Sequence, residues 1–348
     1  MAETMKAVVM HAVGDSRLED VPRPVAGPGE VVLKVAACGV CGSDLDRMFK
    51  KGPHSLPLIC GHEFSGWVEE LGEGVDNLEV GDLVTAPPML PCFECAPCVA
   101  GQYSLCEDYD YYGSRRDGAY AEYVAGPAKL LLKVPADLDP RAAAMVDPSA
   151  IALHALLRCT LAPGKRVAVV GAGGPIGLFA IQWAKLSGAQ DVLAVDLSPE
   201  KEKLAIEAGA TATATTPERA AELAGLGYDI IVECSGNPKA EDMAVGLAAR
   251  HGEVVLIGIP NQDVTISDKN WARLMRLEID IKGSWNSFSA PFPGTEWTTT
   301  VEAMHSGALK WEFMITHELG LEAVSETIES MFKRTIHSSK VLFLPHGR

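Results

Sequence analysis

In roughly the first 150 residues, short apolar runs alternate with turn signals. The runs KAVVMHAV, EVVLKVAA, GWVEELG and DLVTAPP have strand length and are separated by Gly, Pro and Asp, a pattern that predicts a compact, mostly β domain. After LAPGK the period changes. RVAVV, VLAVD, DIIVECSG, EVVLIGI and IDIKGSW are short apolar runs with helical patterns between them, which predicts a parallel sheet covered by helices and an α/β fold. The C-terminal stretch adds one helical pattern, EAVSETIESMFKR, and a strand, KVLFLP. Pattern alone assigns these to neither half. The chain has no internal repeat and no low-complexity tract.

Length supports the two-part reading, since 348 residues exceed what one hydrophobic core usually serves. A formal charge of −16 disfavours binding to a nucleic-acid backbone, which needs a net basic surface or a long basic stripe, and the sequence shows neither. The N-terminus, MAETMKAVVM, has no basic segment followed by an apolar core and cleavage site, and no apolar run has membrane-spanning length. No membrane partner is expected, and the expected compartment is the cytoplasm. Nine cysteines, an odd number clustered with histidines, argue against a secreted disulfide framework and for reduced, metal-binding use.

The stretch RVAVVGAGGPIGLFAIQWAKLSGAQDVLAVDLS reads as strand, glycine turn, helix, strand and acidic residue. A dinucleotide pyrophosphate needs a turn free of side chains, exposed N–H groups and the positive end of a helix, and Gly171, Gly173, Gly174, Pro175, Ile176 and Gly177 can supply them. The turn is one residue longer than the usual GxGxxG; alternatively Ala172 takes the first glycine position and Gly174 the second. Asp196, at the end of the next strand, can accept hydrogen bonds from ribose hydroxyls and repel a 2′-phosphate, which favours NAD over NADP, although Lys201 is close.

Cys92, Cys95, Cys98 and Cys106 fall within one short loop. Four thiolates at that spacing can close a tetrahedron around Zn²⁺ with no position open for substrate, which defines a structural site; an iron–sulfur cluster is the other metal reading. Residues 38–66 differ in kind. Cys41, His62 and Glu63 offer one thiolate, one imidazole and one carboxylate from separated segments, the mixed and incomplete set of a catalytic metal. Singly, each has an ordinary reading as a packing cysteine, a core histidine and a surface charge, and Cys38 with Cys41 also matches a redox pair.

These motifs, in this order, resemble the zinc-dependent medium-chain dehydrogenases over nearly the whole length. The resemblance is carried by CGVCGSD, GHEFSG, the four-cysteine loop, GSRRDGAYAEY and the glycine turn with Asp196. LPCFECAPC, YYGSRRDGAYAEY and GSWNSFSAPFPGTEW point within it to the sorbitol-dehydrogenase-like enzymes and their relatives that act on sugar-alcohol phosphates.

The resemblance implies a GroES-like catalytic β domain over 1–155, completed by 290–348, and a Rossmann domain with a doubly wound parallel sheet over 156–289. It implies two zinc ions per chain, one catalytic and one structural, and a homodimer or homotetramer. By motif, Cys41 and His62 match catalytic zinc ligands, Glu63 the neighbouring acidic residue, and Ser43 the hydroxyl that relays the substrate proton. Asp147, in VDPSAIALHA where relatives commonly read Glu-Pro, is the candidate fourth ligand, directly or through water; His154 after it reads as structural. Cys38 and Cys60 then read as packing residues. The substrate implied is a small polyol, or a polyol phosphate held by Arg115 and Arg116. An unphosphorylated polyol, amino-polyol or cyclitol is the alternative, and a non-catalytic, NAD-binding regulatory protein is the alternative of another class.

Overall fold

The computed structural model describes residues 3–347. The chain forms two compact units, Met1–Asp147 together with Phe288–Arg348, and Pro148–Ser287. The helix Val146–Leu157 spans the division, so Asp147 belongs with the first unit and His154 with the second.

The first unit is built around a mostly antiparallel sheet. Its path runs Leu132–Lys133, Leu83–Thr85, Glu63–Leu71, Glu30–Gly39, Lys340–Phe343 and Ile315–Leu319, with Tyr123–Pro127 also paired to Glu30–Gly39. The alternation expected of a half-exposed strand is absent from most of Glu30–Gly39, because that central strand is covered on both faces. Beside it lies a three-stranded sheet of Asp15–Pro22, Thr4–Ala12 and Leu58–Ile59. Val8, Leu33, Val35, Phe64, Val84, Tyr120, Ile328 and Phe343 belong to one buried cluster.

That cluster decides where the C-terminal segment goes. All four residues of Lys340–Phe343 are buried, and the Phe343 ring meets Tyr120 edge-on at 5.4 Å. Leu342 and Phe343 pair antiparallel with Gly39 and Cys38, completing a sheet begun some 300 residues earlier in the chain.

The second unit holds six parallel strands in the spatial order Ala212–Ala214, Asp191–Val195, Arg166–Val170, Tyr228–Glu233, Ala248–Leu256 and Asp280–Gly283. Val167, Ala168 and Val169 are wholly buried, which explains why these strands read as continuous apolar runs. Arg166–Val170 pairs with Asp191–Val195 on one side and Tyr228–Glu233 on the other. The order of connection reverses at this strand, so a crevice opens beyond its C-terminal end, where doubly wound sheets bind ligands. Among the described residues no helix is long and apolar enough to cross a membrane.

Candidate metal centres and dinucleotide site

Three chain segments converge at one end of the first unit's sheet. Strand Glu30–Gly39 leads through Val40 to Cys41, the N-cap of a short helix, Gly42–Asp46. Glu63 opens the adjacent strand and pairs with Gly39, so Cys41 and His62 are carried in on neighbouring strands. Gly61 turns the chain there with φ +90°, and the GAYAEY segment braces it, since Ala119 N–H donates to the Gly61 carbonyl at 2.9 Å. A Cβ on Gly118 would lie 2.7 Å from the Cys60 carbonyl oxygen, so only glycine permits this approach.

One ligand atom each of Cys41, His62 and Glu63 lies within 4.8 Å of the others. Asp44 organises them from below. Its carboxylate, fully buried, accepts from Cys41 N–H at 3.1 Å, Arg47 Nη1 at 2.7 Å and Tyr120 O–H at 2.9 Å, and faces His62 Nδ1 at 3.3 Å. With Nδ1 turned to a carboxylate, Nε2 is the imidazole nitrogen left for a metal. Burial disfavours the charged forms of both groups, yet Asp44 and Cys41 raise the His62 pKa, while His62 and Arg47 hold the Asp44 carboxyl well below the usual range.

Asp147 is buried next to this trio but outside the cluster of mutually close ligand atoms. Burial, then the Glu63 carboxylate, push its pKa up to about 7. A bound dication would relieve a buried carboxylate destabilised by another carboxylate, so Cys41, His62, Glu63 and Asp147 fit a catalytic zinc. Ser43 is exposed on the first turn of the Cys41 helix. Cys38 and Cys60 are packing thiols. Burial and then Asp44 raise both, Cys60 to about 12, and the Cys60 sulfur lies 4.0 Å from that of Met10.

The second cluster is nearly all sulfur. Cys92 lies 4.0 Å from Cys98 and 3.5 Å from Cys106, and Cys95 lies 3.9 Å from Cys106. A tetrahedron with bonds of about 2.3 Å has edges of about 3.8 Å, so these sulfurs fit zinc. N–H groups of Cys92, Glu94 and Cys95 point at cluster sulfurs at 3.3 to 3.4 Å, which favours thiolates. Backbone hydrogen bonds at Glu107 and Cys98 draw the Cys95 thiol down to about 7.

In the second unit, Gly171 makes the turn, with φ +75° and Ser235 N about 3.0 Å from where its Cβ would stand. Ala172 is not in the left-handed region, so the first glycine position belongs to Gly171. Gly177 would meet Ala172 Cα at 2.7 Å if it bore a Cβ, the close helix–strand packing that the last glycine permits. Gly174 caps the helix Pro175–Leu186, and nothing lies within 4 Å of where its Cβ would be. The Gly174 side of the turn, before Pro175 and Ile176, is open as a pyrophosphate needs, whereas Lys201 and Asp196 lie over Gly173. Asp196 is held by Gly173 N–H at 2.8 Å and Ser198 N–H at 3.0 Å, in a crevice shared with Ala172, Ala194, Lys201 and Thr213. The residues fit a nicotinamide dinucleotide.

The two arginines are not a pair. Arg116 faces Glu30 and Asp110 at 3.5 Å each, so its charge is met within the unit. Arg115 is exposed, with its guanidinium 4.5 Å from the Tyr109 ring centre. Tyr109 meets Tyr111 at 6.3 Å, and Tyr111 meets the His62 ring at 5.6 Å.

Residues 27–136 match the family described as alcohol dehydrogenase GroES-like domain, and residues 175–304 that described as zinc-binding dehydrogenase. The chain is 37% identical to galactitol 1-phosphate 5-dehydrogenase of Escherichia coli K12, over 98% of this chain and all of that protein. It is 31% identical to sorbitol dehydrogenase of Bacillus subtilis 168, over 99% and 98%. The chain belongs to the zinc-binding dehydrogenases, in the alcohol and polyol branch. The crystal structure of the galactitol-1-phosphate dehydrogenase from Escherichia coli superimposes with a TM-score of 0.92 at 36% identity, covering 98% of this chain and 100% of that one.

As a zinc-binding dehydrogenase the chain is an enzyme, an oxidoreductase, so the reading as a non-catalytic regulatory protein falls. Sequence reasoning missed three residues at the candidate metal centre. Asp44 carried a signal, three residues after the capping Cys41, since an acidic residue there closes a capping box. Tyr111 stands against His62, and burial and then Asp147 raise its hydroxyl well above the usual range. Lys340 arrives on the C-terminal strand, far from any motif.

Proposed function

We propose that this enzyme reversibly oxidises a secondary alcohol of a sugar alcohol or sugar-alcohol phosphate, with NAD as its dinucleotide and two zinc ions per chain. The observation that carries this reading is the convergence of Cys41, His62 and Glu63, a mixed and incomplete ligand set, with Asp147 buried beside it. Bound zinc supplies Lewis acidity that lowers the pKa of an alcohol, and NAD supplies the hydride acceptor. The chain's own groups do the rest. Cys41, His62 and one or both of Glu63 and Asp147 hold the catalytic ion, and Asp44 orients His62. Ser43, exposed beside Cys41, passes the alcohol's proton outward.

Cys92, Cys95, Cys98 and Cys106 hold the second zinc. Asp196, fixed by two backbone N–H groups, accepts from the ribose hydroxyls and repels a 2′-phosphate, which supports NAD over NADP. Arg115 is the cation that remains for a terminal phosphate, in keeping with the phosphorylated substrate in the name of the Escherichia coli relative. A second reading, an unphosphorylated polyol, amino-polyol or cyclitol, draws support from the internal ion pairs of Arg116. The family resemblance supports a homodimer or homotetramer, and free cysteines gathered for metal binding support the cytoplasm as its compartment.

The test is a panel of hexitols, hexitol phosphates, amino-polyols and cyclitols, offered to zinc-loaded enzyme with NAD and with NADP. NADH formation on a hexitol or its phosphate, abolished by Cys41→Ser, is expected. Metal-replete enzyme that is silent across the panel refutes the reading.

A further inference from the structure

The first unit buries a lysine completely, and three strands explain how. Glu63 pairs across the sheet with Gly39, and Gly39 pairs on its other side with Leu342. Lys340, two residues before Leu342, shares that residue's face of the sheet. Its Nζ donates to Glu63 Oε2 and, at 3.3 Å, to the Val40 carbonyl. Gly39 supplies the gap through which it reaches. A Cβ there would lie 2.5 Å from Lys340 Cε and 2.9 Å from Glu63 Oε2.

An ammonium group is expensive to bury and is retained where its charge has a partner. Three carboxylates, Asp44, Glu63 and Asp147, are buried in this region. Arg47 answers Asp44 and Lys340 answers Glu63; of these three carboxylates, Asp147 alone has no ion pair with a basic side chain among the described residues. A lysine that merely packed would leave its charge unexplained, since an apolar side chain fills the same space without the desolvation cost.

We propose that Lys340 is a positioning residue of the catalytic metal centre, with Gly39 as the gap that admits it. It holds one oxygen of Glu63, leaves the other for the metal, and cancels one of the negative charges gathered there. The inference rests on reading Cys41, His62 and Glu63 as zinc ligands. Its consequence is a ligand set that binds zinc less tightly than bare carboxylates would, and so preserves the ion's Lewis acidity.

The test compares wild type, Lys340→Met and Lys340→Arg by chelator competition for catalytic zinc and by the visible spectrum of the cobalt-substituted protein. Lys340→Met is expected to hold zinc about tenfold more tightly, because one positive charge a few ångströms away has gone. Its cobalt spectrum is expected to change as Glu63 is freed, and Lys340→Arg to restore both. Gly39→Ala, which displaces the ammonium, is expected to follow Lys340→Met. Unchanged affinity and spectrum in a folded Lys340→Met protein overturn the inference alone. Wild type that takes up no metal through Cys41 and His62 overturns the functional reading and the inference with it. Should Lys340→Met not fold, the double variant Glu63→Gln/Lys340→Met, which removes both charges, is expected to fold; its failure overturns the pairing.

Discussion

Replacing Asp44 by asparagine keeps the size of the side chain and removes its charge. In the native protein the carboxylate accepts from Arg47, Tyr120 and Cys41 N–H at 2.7, 2.9 and 3.1 Å and faces His62 at 3.3 Å. An amide has one acceptor oxygen, and its NH₂ would be turned towards groups that are themselves donors. Arg47 keeps 13% of its side chain exposed, so it cannot swing freely into water when its partner is neutralised. Breaking a buried pair of this kind costs about 3–5 kcal/mol, and these contacts share one carboxylate, so their separate values do not add. Against a total stability of about 5–15 kcal/mol, that is a large fraction.

The second effect is on the metal, since a ligating imidazole that loses its carboxylate partner typically loses about 10- to 100-fold in affinity. Urea denaturation of chelator-treated and zinc-loaded protein measures the first, and chelator competition the second. Asp46→Asn is the control. Asp46 meets Lys50 at 2.9 Å with both side chains partly exposed, and its loss should cost less than about 1 kcal/mol. If Asp44→Asn matches that control in both assays, the claim that this carboxylate organises the centre is wrong.

Cys98→Ser, at one of the two buried members of the sulfur cluster, should lower the zinc content of the protein by one ion per chain and its melting temperature by several degrees; elemental analysis and calorimetry check both. Asp196→Ala should weaken NAD binding about tenfold and narrow the preference over NADP, read by fluorescence titration. Gly177→Ala places a methyl 2.7 Å from Ala172 Cα and should cost about 1–3 kcal/mol of stability, whereas Gly174→Ala, facing open space, should spare the fold and weaken dinucleotide binding; denaturation and titration separate the two. Arg115→Ala should raise KM for a hexitol phosphate about tenfold and leave that for the hexitol unchanged. Equal effects on both substrates would count against a phosphate contact.

Sequence alone determined the class of chemistry. Ligand types at short, fixed spacings are local properties, so the four cysteines and the Cys41 and His62 motifs were legible without any fold, as was the strand–glycine–helix unit ending at Asp196. The apolar runs of the second unit identified a parallel sheet, because strands covered on both faces must be apolar throughout. The tertiary structure decided what depends on distant residues meeting. It brought the C-terminal strand to the first sheet and Lys340 to Glu63, set Asp147 beside Cys41, His62 and Glu63 but outside their close cluster, and gave Arg116 two carboxylates of its own. None of this follows from the hydrophobic pattern or the spacing of the motifs, because the charge a buried group feels is set by neighbours that only the folded chain brings within a few ångströms of it.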